Sequence, residues 1–182
     1  MHFIRALFIT LLGYSVDTVY AGDLGAKLNT QIELLPSCFI NNKPIADGTT
    51  NINLGEIDFG ETNASFNEVI ESSLIGENGA GIQIQCSGIS QVKLTFGSGQ
   101  NDVNVPSGFS GNYYHALTNG KDFVAYNLLY GENKLIIKPN DFFVLSNVNQ
   151  PQNVIVFGRA INNGTRISMG SYSDIVPIVI EF

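Results

Sequence analysis

The sequence predicts an all-β protein, a sandwich of short strands, on three observations. Runs of alternating apolar and polar residues recur at roughly ten-residue spacing. Turn signals separate them: Asp47-Gly48, Asn119-Gly120 and Asn163-Gly164. No amphipathic stretch of helical length follows the N-terminal apolar run. Charged residues make up only 14% of the chain, while Asn, Gly, Ser and Thr are abundant, a composition that suits an exported β-protein with many turns.

In chain order, residues 25–35 place Ala26, Leu28, Thr30, Ile32 and Leu34 on one face and Lys27, Asn29, Gln31 and Glu33 on the other. Strict alternation predicts a half-buried strand. After Leu35-Pro36, residues 37–40 read as a short strand carrying Cys38, and 41–48 as turns. Residues 52–59 alternate with a break at Gly55, which predicts a bulge or bend. Residues 67–75 fit either a short strand or a turn of helix. Ile82, Ile84 and Cys86 share one face of a strand, and Val92, Leu94 and Phe96 define the next. A loop spans 97–111. A strand is expected over 113–117, and 123–130 alternates Val124, Tyr126, Leu128 and Tyr130 against Phe123, Ala125 and Asn127. Short apolar runs follow at 135–137 and 142–145. Residues 154–161 form a further strand, and the last, 175–182, points Val176, Ile178, Ile180 and Phe182 to one side.

The N-terminus reads as a secretory signal over 1–21. Arg5 supplies the basic region, residues 6–16 the apolar region, and Val19-Tyr20-Ala21 the cleavage pattern. The apolar run is too short to span a bilayer, so no membrane insertion is expected. The remaining chain divides into an extension, 22–36, and one domain, 37–182. Both cysteines survive cleavage, and an even pair in an oxidising compartment predicts one disulfide, Cys38–Cys86. Removing Arg5 together with Asp17 leaves the formal charge at −7. With no basic cluster, nucleic acid and anionic membrane surfaces are poor partners.

Catalytic chemistry finds little support. His115 is the one histidine beyond the signal, and it sits in the strand pattern Tyr113-Tyr114-His115, which reads as structural or surface. A single imidazole and an oxidised cysteine pair exclude an ordinary zinc site. No calcium loop or phosphate-binding glycine motif is present, and carboxylates such as Glu56 and Asp58 are scattered. No catalytic residue, metal or cofactor is expected. Asn63-Ala64-Ser65 and Asn163-Gly164-Thr165 match the glycosylation sequon, a pattern common by chance in an Asn-rich chain.

Association fits better. The strand at 175–182 contains Pro177, which is tolerated mainly at a sheet edge. An apolar edge strand is an aggregation hazard unless another strand covers it. The chain thus owns a spare strand near its start and an uncovered edge near its end. Folding back would satisfy both within one molecule; head-to-tail contact between molecules would build a filament. Burying the five positions Ala26, Leu28, Thr30, Ile32 and Leu34 would stabilise such a contact by about 5–10 kcal/mol, an upper bound from area.

These residues resemble the archaic chaperone–usher pilins, the Csu-type members of the spore coat protein U family. The resemblance is carried by Cys38 after an alternating strand, by Leu54-Gly55-Glu56-Ile57-Asp58-Phe59-Gly60, and by Ile82-Gln83-Ile84-Gln85-Cys86. It continues through Leu117-Thr118-Asn119-Gly120, Val124-Ala125-Tyr126-Asn127-Leu128-Leu129-Tyr130 and Val156-Phe157-Gly158-Arg159-Ala160-Ile161. Gly170-Ser171-Tyr172-Ser173-Asp174 then leads into the final strand. The resemblance implies an incomplete immunoglobulin-like sandwich, completed by a donor strand from a chaperone or another subunit. It implies Ala26, Leu28, Thr30, Ile32 and Leu34 as donor positions and Val176, Ile178, Ile180 and Phe182 as the acceptor edge. The implied partners are a periplasmic chaperone, an outer-membrane usher and other pilin subunits, with a shaft or adaptor role in a surface pilus for attachment and biofilm formation. Pro177, the long loop 97–111 and Thr30 depart from that pattern. A self-closed, lectin-like secreted module is the competing reading, and an exported hydrolase a distant third.

Overall fold

The computed structural model describes Gly22, residues 24–34 and residues 37–182. The expected signal, 1–21, lies outside the described residues. The chain divides at Glu33/Leu34 into two compact units.

The second unit is built of strands in three sheets. In chain order these are β1 (Ser37–Ile40), β2 (Lys43–Ile45), β3 (Glu56–Ile57), β4 (Val69–Gly76), β5 (Gly79–Ala80), β6 (Ile82–Ser87), β7 (Gln91–Phe96), β8 (His115–Thr118), β9 (Phe123–Tyr130), β10 (Leu135–Ile137), β11 (Phe142–Ser146), β12 (Gln152–Val154), β13 (Val156–Ile161) and β14 (Ile178–Glu181). One sheet runs β12-β6-β1-β2 and a second β10-β9-β13-β4-β3, with β8 added on β9 and β5 on β4; the third runs β11-β7-β14. Every named pairing is antiparallel. The expected all-β class is therefore the observed one.

The alternating residues supply the core. Ile82, Ile84 and Cys86 from β6, Val92, Leu94 and Phe96 from β7, and Val124, Tyr126 and Leu128 from β9 are buried in one cluster. Cys38 and Cys86 stand directly opposite each other in the β1–β6 ladder and are joined as a disulfide, with Cα atoms 4.0 Å apart.

Several elements differ from the sequence expectation for visible reasons. Residues 24–34 carry no regular structure; the alternation is present without a ladder. The run 52–59 keeps only β3, because Gly55 turns the chain with φ 138°. A Cβ there would stand 2.5 Å from the Ile75 carbonyl oxygen, so only glycine fits. The undecided stretch 67–75 is β4. Residues 154–161 split into β12 and β13, which belong to different sheets. Val154 and Val156 are both buried, so the alternation runs through the corner unbroken.

The loop after β7 has its own anchors. A single 3-10 turn, Asp102–Asn104, lies within it, and the Asp102 carboxylate accepts from the Gly99 N–H at 2.7 Å. Farther on, Asn127 of β9 accepts from the Tyr114 N–H and donates to the Asn112 carbonyl. These bonds satisfy the buried Asn127 on the second face of β9, where Ala125 and Leu129 are buried as well.

A candidate strand-acceptor cleft

An open cleft of about 1960 Å3 runs into the core. Its floor is apolar, formed by Phe96, Val124, Leu128, Val156 and Ala160, with Tyr126 among them. One rim is the segment 45–64 and the other is 167–182. The rims meet at one end, where the Ile167 N–H donates to the Ala64 carbonyl at 2.9 Å and the Gly164 N–H to the Phe66 carbonyl at 3.0 Å.

The first rim is seated by a missing side chain. A Cβ on Gly158 of β13 would lie 2.5 Å from the Phe59 ring and 2.8 Å from Ile57 Cγ2. Ile57 and Phe59 therefore rest on the bare backbone of Gly158, and Phe59 meets Tyr126 edge to face at 6.1 Å.

The second rim is fastened step by step to the neighbouring strands. Asp122 accepts from both the N–H and the hydroxyl of Ser168, at 2.7 and 2.6 Å, and these bonds hold its carboxyl below the ordinary range. Thr118 and Ser173 exchange backbone bonds at 3.0 Å. Asp174 accepts from the Tyr126 hydroxyl at 2.8 Å and from Asn101 Nδ2 at 2.9 Å. Burial first, and then the Asp174 charge, push the Tyr126 phenol far above its ordinary range, so it remains a donor.

The edge strand β14 follows. It pairs with β7 on one side and ends the order of its sheet. The Gly97 N–H donates to the Pro177 carbonyl at 2.8 Å and the Gln100 N–H to the Ile175 carbonyl at 3.2 Å. Odd-numbered residues of this segment thus turn their backbone groups toward β7. By alternation, Val176, Ile178, Ile180 and Phe182 turn theirs toward the unpaired edge. Pro177 lacks its N–H on the β7 side, so the proline removes no donor from the open edge.

All four expected acceptor positions, Val176, Ile178, Ile180 and Phe182, line the cleft and pack against the core. The regular strand is shorter than the expected 175–182, because Ile175 and Pro177 bond to the loop after β7 instead. The five expected donor positions are exposed, Leu28 at 88%, Ile32 at 81% and Leu34 at 82%.

His115 is more deeply placed than its sequence context suggests. It is fully buried, with Nδ1 2.8 Å from Asp102 Oδ1, and its Nε2 has no partner among the described residues. Asp102, His115 and Asp174 offer ligand atoms within 4.8 Å of one another. The two carboxylates are already engaged: Asp102 by Gly99 and His115, Asp174 by Asn101 and Tyr126. The cluster joins the loop after β7, β8, β9 and the rim before β14. It is a fastening that sequence inspection missed, because its members lie up to 73 residues apart. In both sequons the asparagine accepts from the N–H two residues on, at 3.0 Å, an ordinary turn.

Residues 25–179 match the family model described as Spore Coat Protein U domain. The chain belongs to this family. The Spore Coat Protein U match takes in the alternating segment as well as the sandwich. No curated protein sequence matches the chain. Thirteen chains of solved structures do. One is in the crystal structure of the CsuC-CsuE chaperone-tip adhesion subunit pre-assembly complex from archaic chaperone-usher Csu pili of Acinetobacter baumannii. It is 22% identical over 81% of this chain, with a TM-score of 0.43. The match spans 40% of that chain's length.

Proposed function

We propose that this chain is a structural, non-enzymatic subunit of an archaic chaperone–usher pilus, linked to its neighbours by strand addition. In this reading 22–36 is the donor extension and 37–182 the acceptor domain. The observation that carries it is the apolar cleft beside the unpaired edge of β14. Backbone groups at the edge supply affinity, and alternate side chains entering the cleft supply register. Ala26, Leu28, Thr30, Ile32 and Leu34 supply those side chains. A periplasmic chaperone would cover the same edge during export, an outer-membrane usher would exchange it for a subunit's strand, and the product would be a surface fibre serving attachment and biofilm formation. The full burial of His115 argues against a hydrolase, since a solute has no access to the imidazole.

The test is co-expression with the chaperone. Ile32→Asp, which would bury a charge in an apolar cleft, should still give a soluble chaperone complex but no filaments. Deleting 22–35 should behave likewise. Filament yield equal to the parent's in either variant would refute the donor assignment, and a deletion variant that no chaperone keeps folded would place the strand in its own domain.

A further inference from the structure

Building on the strand-addition reading, we infer that the long loop after β7 is a brace made necessary by Pro177. Its first turn, 97–102, replaces β7 as the support of residues 174–177, and Asn101 and Asp102 are positioning residues for that part of the acceptor edge.

The need arises at the proline. The β7–β14 ladder ends where Ile178 faces Phe96. The same register carries on for one step, to Gly97 opposite Pro177, and there the Gly97 N–H donates to the Pro177 carbonyl at 2.8 Å. Proline has no N–H to return. Beyond this pair the register fails. The ladder would bring Gly99 opposite Ile175, yet the Ile175 carbonyl accepts from the Gln100 N–H, at 3.2 Å. Residues 174–177 thus have no regular strand beside them, although Val176 among them turns its backbone groups to the open edge.

The loop meets this need with side chains. Asn101 Nδ2 donates to Asp174 Oδ1 at 2.9 Å, while the Tyr126 hydroxyl holds Oδ2 of the same carboxylate at 2.8 Å. Asp102 fixes the turn that presents Asn101. Its Oδ2 accepts from the Gly99 N–H at 2.7 Å, and its Oδ1 lies 2.8 Å from Nδ1 of the buried His115 in β8. A carboxylate held at both oxygens makes a firm post, because such charge-assisted bonds are about twice as strong as neutral ones. Two glycines allow the close approach. A Cβ on Gly97 would stand 2.9 Å from Cγ of Pro177, and one on Gly99 would collide with the carboxylates of Asp174 and Asp102. The run Gly97-Ser98-Gly99, which fits no phosphate-binding motif, is accounted for by these contacts. Pro177 and the long loop, two departures from the Csu-type pattern, are then one device.

Amide exchange read residue by residue tests this. The full chain carries Ile32→Asp to block its own extension, and a peptide of residues 22–36 in excess is the probe. In this parent the peptide should slow exchange at Val176, Ile178 and Ile180, whose N–H groups face the open edge. Asn101→Ala and Asp102→Ala should each speed exchange at Val176 again by about ten-fold, while Ile178 and Ile180 stay within about two-fold of the parent. Asn101→Ala keeps the Asp102–His115 pair, so it reports even where Asp102→Ala fails to fold. Pro177→Val regains an N–H for the Gly97 carbonyl and should make the brace dispensable. Added to it, Asn101→Ala should change Val176 by less than about two-fold, a coupling that a merely structural bond would not show. Equal acceleration at all three amides, or none at any, overturns the positioning role. An undiminished loss at Val176 in the Pro177→Val chain overturns the link between proline and loop. A peptide that slows none of the three amides in the parent overturns strand addition at this edge, whatever the loop does.

Discussion

At the scale of single residues, the cleft depends on side chains that are absent or small. Gly158 is the clearest case. Its sequence neighbourhood, Val156-Phe157-Gly158-Arg159-Ala160, reads as an ordinary alternating strand, in which a glycine looks merely permissive. The structure assigns it a specific task, since Ile57 and Phe59 occupy the volume its Cβ would fill. Gly158→Ala should therefore lift the 56–59 rim and cost about 1–3 kcal/mol by overpacking. Thermal unfolding would read the loss of stability. A variant with an unshifted midpoint and parental assembly would show that the rim is free to move aside. Ser72 stands opposite Gly158 in the β4–β13 ladder, and this small polar residue obscured the period of 67–75. A run reading Val-Ile-Glu-Ser-Ser-Leu-Ile has its apolar positions interrupted where another segment lies on top.

At the scale of elements, how legible each strand was depended on whether it faces a core or a partner. β6, β7 and the end of β14 alternate because one face of each meets the apolar interior, and those could be read directly. The corner between β12 and β13 could not be read, because Val154 and Val156 are buried on either side of it and the period carries through. The fastening around Asp174 was hidden for a different reason: it is made by single polar side chains contributed from four separate elements. β4 offers a measurable element-level contact. Glu71 accepts from Lys134 and from Arg159 Nε, the latter at 2.6 Å. The Lys134 bond, then the Arg159 bond, lower its pKa below the ordinary 4.5. A depressed carboxyl contributes stability that is present above its unfolded value and lost as pH falls through its folded value. Glu71→Gln should thus be less stable than the parent at pH 7 by under about 1 kcal/mol. The gap should close below about pH 4.5, and urea midpoints for the two proteins across that range would measure it. A gap that widens on acidification would contradict the assignment.

At the scale of the whole molecule, an open sandwich leaves part of its apolar surface only partly covered and must be stabilised by other means. The walls of the cleft contribute less to stability than a closed core would, because Ile57, Phe59, Val176, Ile178, Ile180 and Phe182 are only partly buried. The Cys38–Cys86 bridge acts against this deficit. It ties β1 to β6 across a separation of 48 residues, and closing a loop of that length lowers the entropy of the unfolded chain by an amount worth about 4 kcal/mol. Small domains have a net stability of about 5–15 kcal/mol, and an incomplete core sits toward the lower end. The double variant Cys38→Ala/Cys86→Ala should therefore shift the urea midpoint downward by most of the parent's value. A bound partner strand, which stabilises only the folded form, should restore it in part. Parent and variant are compared with and without a peptide of residues 22–36 in excess. A variant that unfolds at the parent's midpoint would mean that the fold is held without the bridge. A variant unaffected by the peptide would mean that the cleft and the bridge do not stabilise the same folded state.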